Sequence, residues 1–208
     1  MGLTIALNRG RILDECLPLL ASAGIEPVED PGSSRKLVFP SREGNHQIVV
    51  VRGSDVPTYV EYGAADLGIT GKDTLLEYGG ESAFYEILDL QIARCKLMTA
   101  VPKGRDLEPG MIRVASKFAR VSRRYFESQG YQVSIIKLAG AMELAPLLNL
   151  SDCIVDIVDT GRTLEANGLV AKDTIAEVSS RLIVNRASMK TRFEEVQSVV
   201  SSLREQIS

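Results

Sequence analysis

Short apolar runs alternate with amphipathic segments that end in glycine along almost the whole chain, and that alternation leaves few folds open. Leu3–Leu7 reads as a strand, Asn8-Arg9-Gly10 as a turn, and Arg11 to Ala23 as a helix stopped by Gly24. Ile12, Cys16, Leu19, Leu20 and Ala23 share one face of that helix. Ile48–Val51 is a continuous apolar run, which suits a parallel strand covered on both sides. Asp55 then stands where it would cap a short helix over Val56–Val60, closed by Gly63. Leu67–Ile69 reads as a strand, and Lys72 to Tyr78 as a helix ended by Gly79-Gly80. Further strands are expected at 87–92, 95–101, 112–115, 133–138, 153–158, 174–178 and 182–184. Helices are expected at 119–129, 142–148 and 190–206, and Pro102 to Gly110 is the clearest loop. These repeated units predict an α/β protein with a parallel, doubly wound sheet. The sheet is expected to divide into two lobes, 1–91 with 180–208 and 92–179, crossing near Asp89–Arg94 and returning near Ser179–Arg181. Ligands then belong in a cleft between the lobes, at the carboxyl ends of strands.

Composition narrows the function classes. A net charge of −3 argues against general nucleic-acid binding, so any basic surface must be local. No apolar run approaches the roughly 20 residues that span a bilayer. Arg9, Arg11, Asp14 and Glu15 within the first twenty residues do not suit a signal peptide. Three scattered cysteines match no zinc or redox spacing, and a single histidine, His46, cannot build a triad or a metal cluster. The expectation is a cytoplasmic protein with no metal site of its own, whose chemistry asks little of histidine.

The densest local signal is Cys153 to Leu164. An apolar, β-branched run breaks at Asp159-Thr160-Gly161 and is followed by a short helix, Thr163 to Asn167, stopped by Gly168. A strand, a tight turn and a helix N-terminus converge backbone N–H groups on one point and suit a phosphate. Thr160 and Thr163 add hydroxyl donors, and Gly161 lets the backbone approach closely. Asp156 and Asp159 suit sugar hydroxyls or a cation beside that phosphate. An ordinary strand-to-helix turn has the same local pattern, so the nine residues alone leave both readings open. The stretch resembles the loop by which phosphoribosyltransferases hold the 5-phosphate and ribose hydroxyls of phosphoribosyl pyrophosphate (PRPP). The common type has two adjacent acids there; their separation here points to a different phosphoribosyltransferase family.

Basic residues gather after strand ends in the first half: Arg9 and Arg11 around Gly10, Arg35 and Lys36 after a Pro-Gly loop, Arg52, and Lys72 after Gly71. In an open α/β sheet such ends share one edge, and arginine suits bidentate contact with phosphate oxygens. As a set, in a slightly acidic protein, they favour a polyanion site. Glu143 opens the helix after Gly140-Ala141, where stabilisation of the first turn is its simplest role.

Several motifs in order then carry a specific resemblance: 7–13, 34–37, 51–57, Tyr62 to Asp73 and 156–164 together look like ATP phosphoribosyltransferase, the enzyme that begins histidine biosynthesis. The segment from Tyr62 to Asp73 also resembles the ligand-binding region of two-lobed solute receptors. The resemblance implies two doubly wound lobes like a type II periplasmic binding protein. It also implies transfer of phosphoribose from PRPP to N1 of ATP, with magnesium carried on the substrates. Arg11 and Arg35 are then the candidates for the departing pyrophosphate. Asp156, Asp159, Thr160, Gly161, Arg162, Thr163, Leu164 and Glu143 are candidates for PRPP. Arg9, Gly10, Lys36, Arg52, Asp66, Gly71 and Lys72 are candidates for ATP and pyrophosphate, with Asp66 and Asp73 alternatively caps. The family usually has Lys where Arg9 stands and Ser where Ala141 stands. The chain resembles the short form, which implies a dimer of catalytic chains and a regulatory subunit similar to histidyl-tRNA synthetase. The rival from another class is a two-lobed anion- or nucleotide-binding sensor without catalysis.

Overall fold

Period-two burial along one strand shows how the first layer is built. Leu3, Ile5 and Leu7 lie in one apolar cluster and Ala6 in another, so strand β1 (Thr4–Asn8) is covered on both faces. The computed structural model describes residues 2–80 and 83–207. The chain divides into two compact units, Met1–Ala93 with Ser179–Ser208, and Arg94–Val178.

Unit 1 holds a six-stranded sheet. Its order is β2 (Val38–Pro40), β3 (Gln47–Val51), β1, β4 (Leu67–Gly71), β11 (Ser180–Asn185) and β5 (Phe84–Asp89). β1 runs parallel to β3 and β4, because helices carry those crossovers. Helix α1 (Arg11–Ser22) follows β1, and α2 (Val56–Glu61) joins β3 to β4. Gly68 shows how closely α2 approaches: a Cβ there would lie 2.6 Å from Val60 Cγ2 and 2.8 Å from Val56 Cγ1. Helix α3 (Lys72–Tyr78) ends at Gly79 in the left-handed conformation, φ 68°. The opposite face carries α1 and, after α7 (Ser188–Thr191), the last helix α8 (Phe193–Gln206). Leu13, Cys16 and Leu20 of α1 and Val196, Val199, Val200 and Leu203 of α8 are buried there with Ile5 and Leu7. Each fully buried aliphatic side chain of this kind contributes about 1.5–3 kcal/mol.

Unit 2 holds five strands in the order β10 (Leu169–Val178), β6 (Cys95–Pro102), β9 (Cys153–Val158), β7 (Met111–Ser116) and β8 (Gln132–Lys137). Cys153 and Val155 face a cluster with Phe118 and with Phe126 of α4 (Ala119–Ser128). Ile154 faces the other way, among Met142, Ala145 of α5 (Leu144–Leu147) and Leu164 of α6 (Arg162–Ala166).

The two α/β sheets are mixed: the parallel pairs lie inside the sheet of unit 1 and, in unit 2, run from β9 through β7 to the edge strand β8. β11 enters unit 1 on the chain's return from unit 2 and lies antiparallel to both β4 and β5. β2 and β3 are joined by a short polar turn, so they also pair antiparallel. In unit 2, β6 is antiparallel to β9 and β10. β2 has no sequence signal, since only Phe39 of its three residues is buried. β10 begins at Leu169, five residues before the expected start. Its polar middle is a bulge, where the Asp173 N–H donates to Thr99 Oγ1 at 3.0 Å instead of to a ladder carbonyl. β5 spans Phe84–Asp89, shifted towards the amino end of the expected 87–92. The expected helix at 142–148 shrinks to α5, because Pro146 is tolerated only in a first turn. The expected helix at 190–206 breaks at Arg192, φ −131°, whose side chain is drawn into the contacts described below.

Candidate phosphate and polyanion sites

In unit 2 the strand β9 delivers Asp156 on the same face as Ile154, towards α5 and α6. Val158 ends the strand, Asp159 and Thr160 turn the chain, and Gly161 sits at φ 76° as the residue before α6. Only glycine takes that left-handed conformation cheaply. Leu164 is 5% exposed and anchors α6 in the core, while Thr160, Arg162 and Thr163 remain exposed. Asp156 to Leu164 together with Glu143 line a pocket of about 320 Å³. Thus all eight residues assigned from sequence to the PRPP group line one pocket. Asp156 Oδ1 accepts from the Ile157 N–H at 2.8 Å. Ala141, two residues before Glu143, holds φ 51°, an uncommon value for a residue with a Cβ.

In unit 1 the parallel register of β3, β1 and β4 brings Asn8, Val51 and Gly71 to one edge. Arg9, Gly10, Arg11, Arg52 and Lys72 follow those strand ends. A pocket of about 520 Å³ lies at this edge, lined by Asn8, Arg9, Leu37, Val50, Val51, Arg52, Gly53, Asp55 and Tyr59. The Asn8 Oδ1 atom is buried and accepts no hydrogen bond among the described residues.

The cations there are not equivalent. Arg11 Nε donates to Glu15 Oε1 at 2.7 Å, and Glu15 Oε2 accepts from the Ala93 N–H at 2.7 Å. That backbone N–H, and then the Arg11 guanidinium, hold the Glu15 carboxyl below the usual range. Lys72 pairs with Glu86 at 2.6 Å, and Arg181 reaches the other oxygen of Glu86 at 3.5 Å and Asp89 at 3.0 Å. Lys36 pairs with Glu29 at 2.6 Å. Arg9 donates to backbone carbonyls of residues 31–36. Arg35 and Arg52 are exposed, and neither guanidinium has an ion pair or hydrogen bond among the described residues. A guanidinium with no internal partner meets an incoming phosphate without first breaking a contact.

Two acids depart from their sequence assignment. Asp66 is not at this edge. It precedes β4, at the amino end of the sheet, and accepts from the Thr4 N–H at 2.8 Å, Ser188 Oγ at 2.7 Å and Arg192 Nη1 at 3.0 Å. Its contacts tie β1, α7 and the α7–α8 break together, away from the edge where the other residues of the ATP and pyrophosphate group gather. Asp55 directly precedes α2 but makes no capping hydrogen bond, because a 3₁₀ turn at Gly53–Asp55 runs straight into that helix. Sequence reading also missed Glu15, Glu86, Asp89 and Arg181. Glu15 was reachable through its i,i+4 spacing from Arg11; the other three meet only through strand pairing.

Among the described residues no cluster of three or more His, Cys, Asp and Glu is placed to hold a metal ion, and no helix is long and apolar enough to cross a membrane. Comparison with known proteins supplies the remaining step. The family described as "HisG: ATP phosphoribosyltransferase" matches residues 52–205. An ATP phosphoribosyltransferase of Pseudomonas putida is 59% identical over 205 residues, 99% of this chain and 97% of that one. One from Marinobacter nauticus is 59% identical over 202 residues, covering 97% and 94%. Among solved structures, the ATP phosphoribosyl transferase (HisG:HisZ) complex from Thermotoga maritima aligns with a TM-score of 0.86 at 36% identity, covering 99% of this chain and 98% of that one. A protein solved with bound L-arginine shares the fold alone, with a TM-score of 0.58 at 12% identity. With the family model matched over residues 52–205, and relatives and a solved structure aligned over nearly the full length, the chain belongs to the ATP phosphoribosyltransferase family.

Proposed function

We propose that this protein transfers the phosphoribosyl group of PRPP to N1 of ATP, releasing pyrophosphate in the first step of histidine biosynthesis. The single observation that carries the site reading is the pocket formed by residues 156–164 with Glu143, whose turn, hydroxyls and carboxylates are the groups a phosphorylated ribose requires. In this reading the N–H groups and hydroxyls of Thr160 to Thr163 hold the 5-phosphate, and Asp156 and Asp159 take the ribose hydroxyls. Unit 1 supplies cations for the pyrophosphate and the ATP phosphates. Its two unpartnered guanidinium groups, Arg35 and Arg52, are the best suited, with Arg11 released from Glu15 and Lys72 from Glu86.

The chemistry fits a protein with one histidine. The adenine N1 already carries a lone pair, so attack on the anomeric carbon needs no strong base. Positive charge grows on the ribose and negative charge on the leaving group, and catalysis rests on positioning and charge neutralisation. Removing one such donor costs about 2–4 kcal/mol of barrier. Magnesium belongs to the substrates, where it would neutralise phosphate charge. A regulatory partner similar to histidyl-tRNA synthetase and a dimer of catalytic chains complete the assembly, which works in the cytoplasm. The Thermotoga maritima relative, an ATP phosphoribosyl transferase (HisG:HisZ) complex, supports the partner.

The test is spectroscopic. The protein, with that partner, is mixed with ATP, PRPP, magnesium and pyrophosphatase, and the ultraviolet change of N1-substituted adenine is followed. Signal that needs both substrates is expected. No signal, together with no heat of PRPP binding by calorimetry, would overturn the proposal and favour a sensor.

A further inference from the structure

Arg9 stands at the edge where a phosphate contact is its first reading, yet its guanidinium is committed elsewhere. Nη1 donates to the Pro31 carbonyl at 3.0 Å, and Nη2 to the carbonyls of Ser34 at 2.7 Å and Lys36 at 3.1 Å. The Gly32 carbonyl, 3.5 Å from Nη1, is at the limit of a contact. All belong to one loop, and they converge on a single planar cation that lies 22 or more residues earlier in the chain. The loop is also stiffened locally. The Gly32 N–H donates to Asp30 Oδ1 at 2.8 Å, and the Lys36 N–H to Ser34 Oγ at 3.2 Å.

Arg35 lies between two of the carbonyls that Arg9 gathers. Fixing the backbone on both sides of a residue fixes the origin and direction of its side chain. A fork can do this because its two terminal nitrogens bond separate carbonyls at a set spacing; an ammonium is a point donor. From this geometry we infer that Arg9 is a positioning residue that presents Arg35 to the departing pyrophosphate, and is not itself a phosphate ligand. The inference rests on the assignment of Arg35 proposed above.

The experiment uses the full chain with its regulatory partner and a double-mutant cycle. Arg9→Met keeps the apolar stem and removes every donor, while Arg9→Lys keeps a point charge. Arg9→Met is expected to lower kcat by about 10- to 100-fold, with KM for PRPP and ATP little changed, as misplacement of a charge-neutralising group does. Arg9→Lys is expected to recover part of that loss. Combined with Arg35→Ala, Arg9→Met should add no further loss, because its effect passes through Arg35. Hydrogen exchange should quicken at residues 32–37 in Arg9→Met, with an unchanged melting temperature. Multiplicative effects in the double variant, or unaltered exchange in the loop, would overturn the inference. Arg35→Ala with wild-type turnover would instead overturn the site assignment on which it rests.

Discussion

Replacing Asp66 by alanine separates a structural acid from a ligand-binding one. The carboxylate takes three donors from three separate parts of unit 1: Thr4, Ser188 and Arg192. Asp66 is 15% exposed and Arg192 22% exposed, so their ion pair is largely removed from water. Breaking a fully buried pair costs about 3–5 kcal/mol, and an exposed one about 0–1 kcal/mol. The cost here lies between, because Arg192 keeps Glu195 at 2.6 Å and the Gly2 carbonyl at 3.2 Å. A loss of about 2–3 kcal/mol follows. For a chain of 208 residues, that lowers the melting temperature by about 4–12 °C. Scanning calorimetry measures the shift, and initial rates well below the melt give KM for ATP. The expected result is the lowered melting temperature with KM for ATP unchanged. An unchanged melting temperature with a clearly raised KM would refute the reasoning and return Asp66 to the substrate site.

Other outcomes follow from the same contacts. The Arg113 side chain, helped by its backbone N–H, holds the Asp152 carboxyl below the usual aspartate range. A group so lowered contributes stability that is complete above its unfolded pKa of about 3.9 and is lost as pH falls through the folded value. The stability gap between wild type and Asp152→Asn should therefore be largest near neutral pH and close in acid; a gap that widens in acid would contradict it. Burial pushes the Cys16 and Cys153 thiols up to about 12, so iodoacetamide near neutral pH should label the half-exposed Cys95 alone in the native protein and all three thiols after denaturation. Thr163→Val removes one hydroxyl from the phosphate turn and should raise KM for PRPP roughly 10- to 100-fold with kcat largely kept. Arg11→Ala should lower kcat more than PRPP affinity. Unchanged values in both variants would unseat the site assignment.

The legible part of this protein was the part written in neighbouring residues. Strand β9, the break at Asp159-Thr160-Gly161 and the short helix after it follow from β-branched residues, hydroxyls and a glycine within a dozen positions. Cys16 and Leu20 of α1, and Val196, Val199, Val200 and Leu203 of α8, were expected on apolar stripes and are buried. The convergence of Arg9, Arg11, Arg52 and Lys72 on one edge also followed, because parallel β1, β3 and β4 put their carboxyl ends together. β2 escaped notice because an exposed-buried-exposed triplet has no period to detect. Only the second half of β10 was legible, because the bulge interrupts alternation between its first residues and Thr174.

Sequence by itself thus determined the α/β class, the position of the strand–turn–helix proposed to hold phosphate, and the family, since each rests on local spacing or on motifs in order. Tertiary structure alone decided what each charge does. Asp66 and Arg192 are 126 residues apart and meet only because α7 and α8 return to the amino edge of β4. Lys72 is tied to Glu86 because β11 and β5 close the sheet beside β4. Arg9 holds a loop, and the side chains of Arg35 and Arg52 have no partner among the described residues, although all three are arginines near strand ends. A side chain's charge is fixed by its type, but its partner is fixed by which distant backbone the fold brings within about 3 Å.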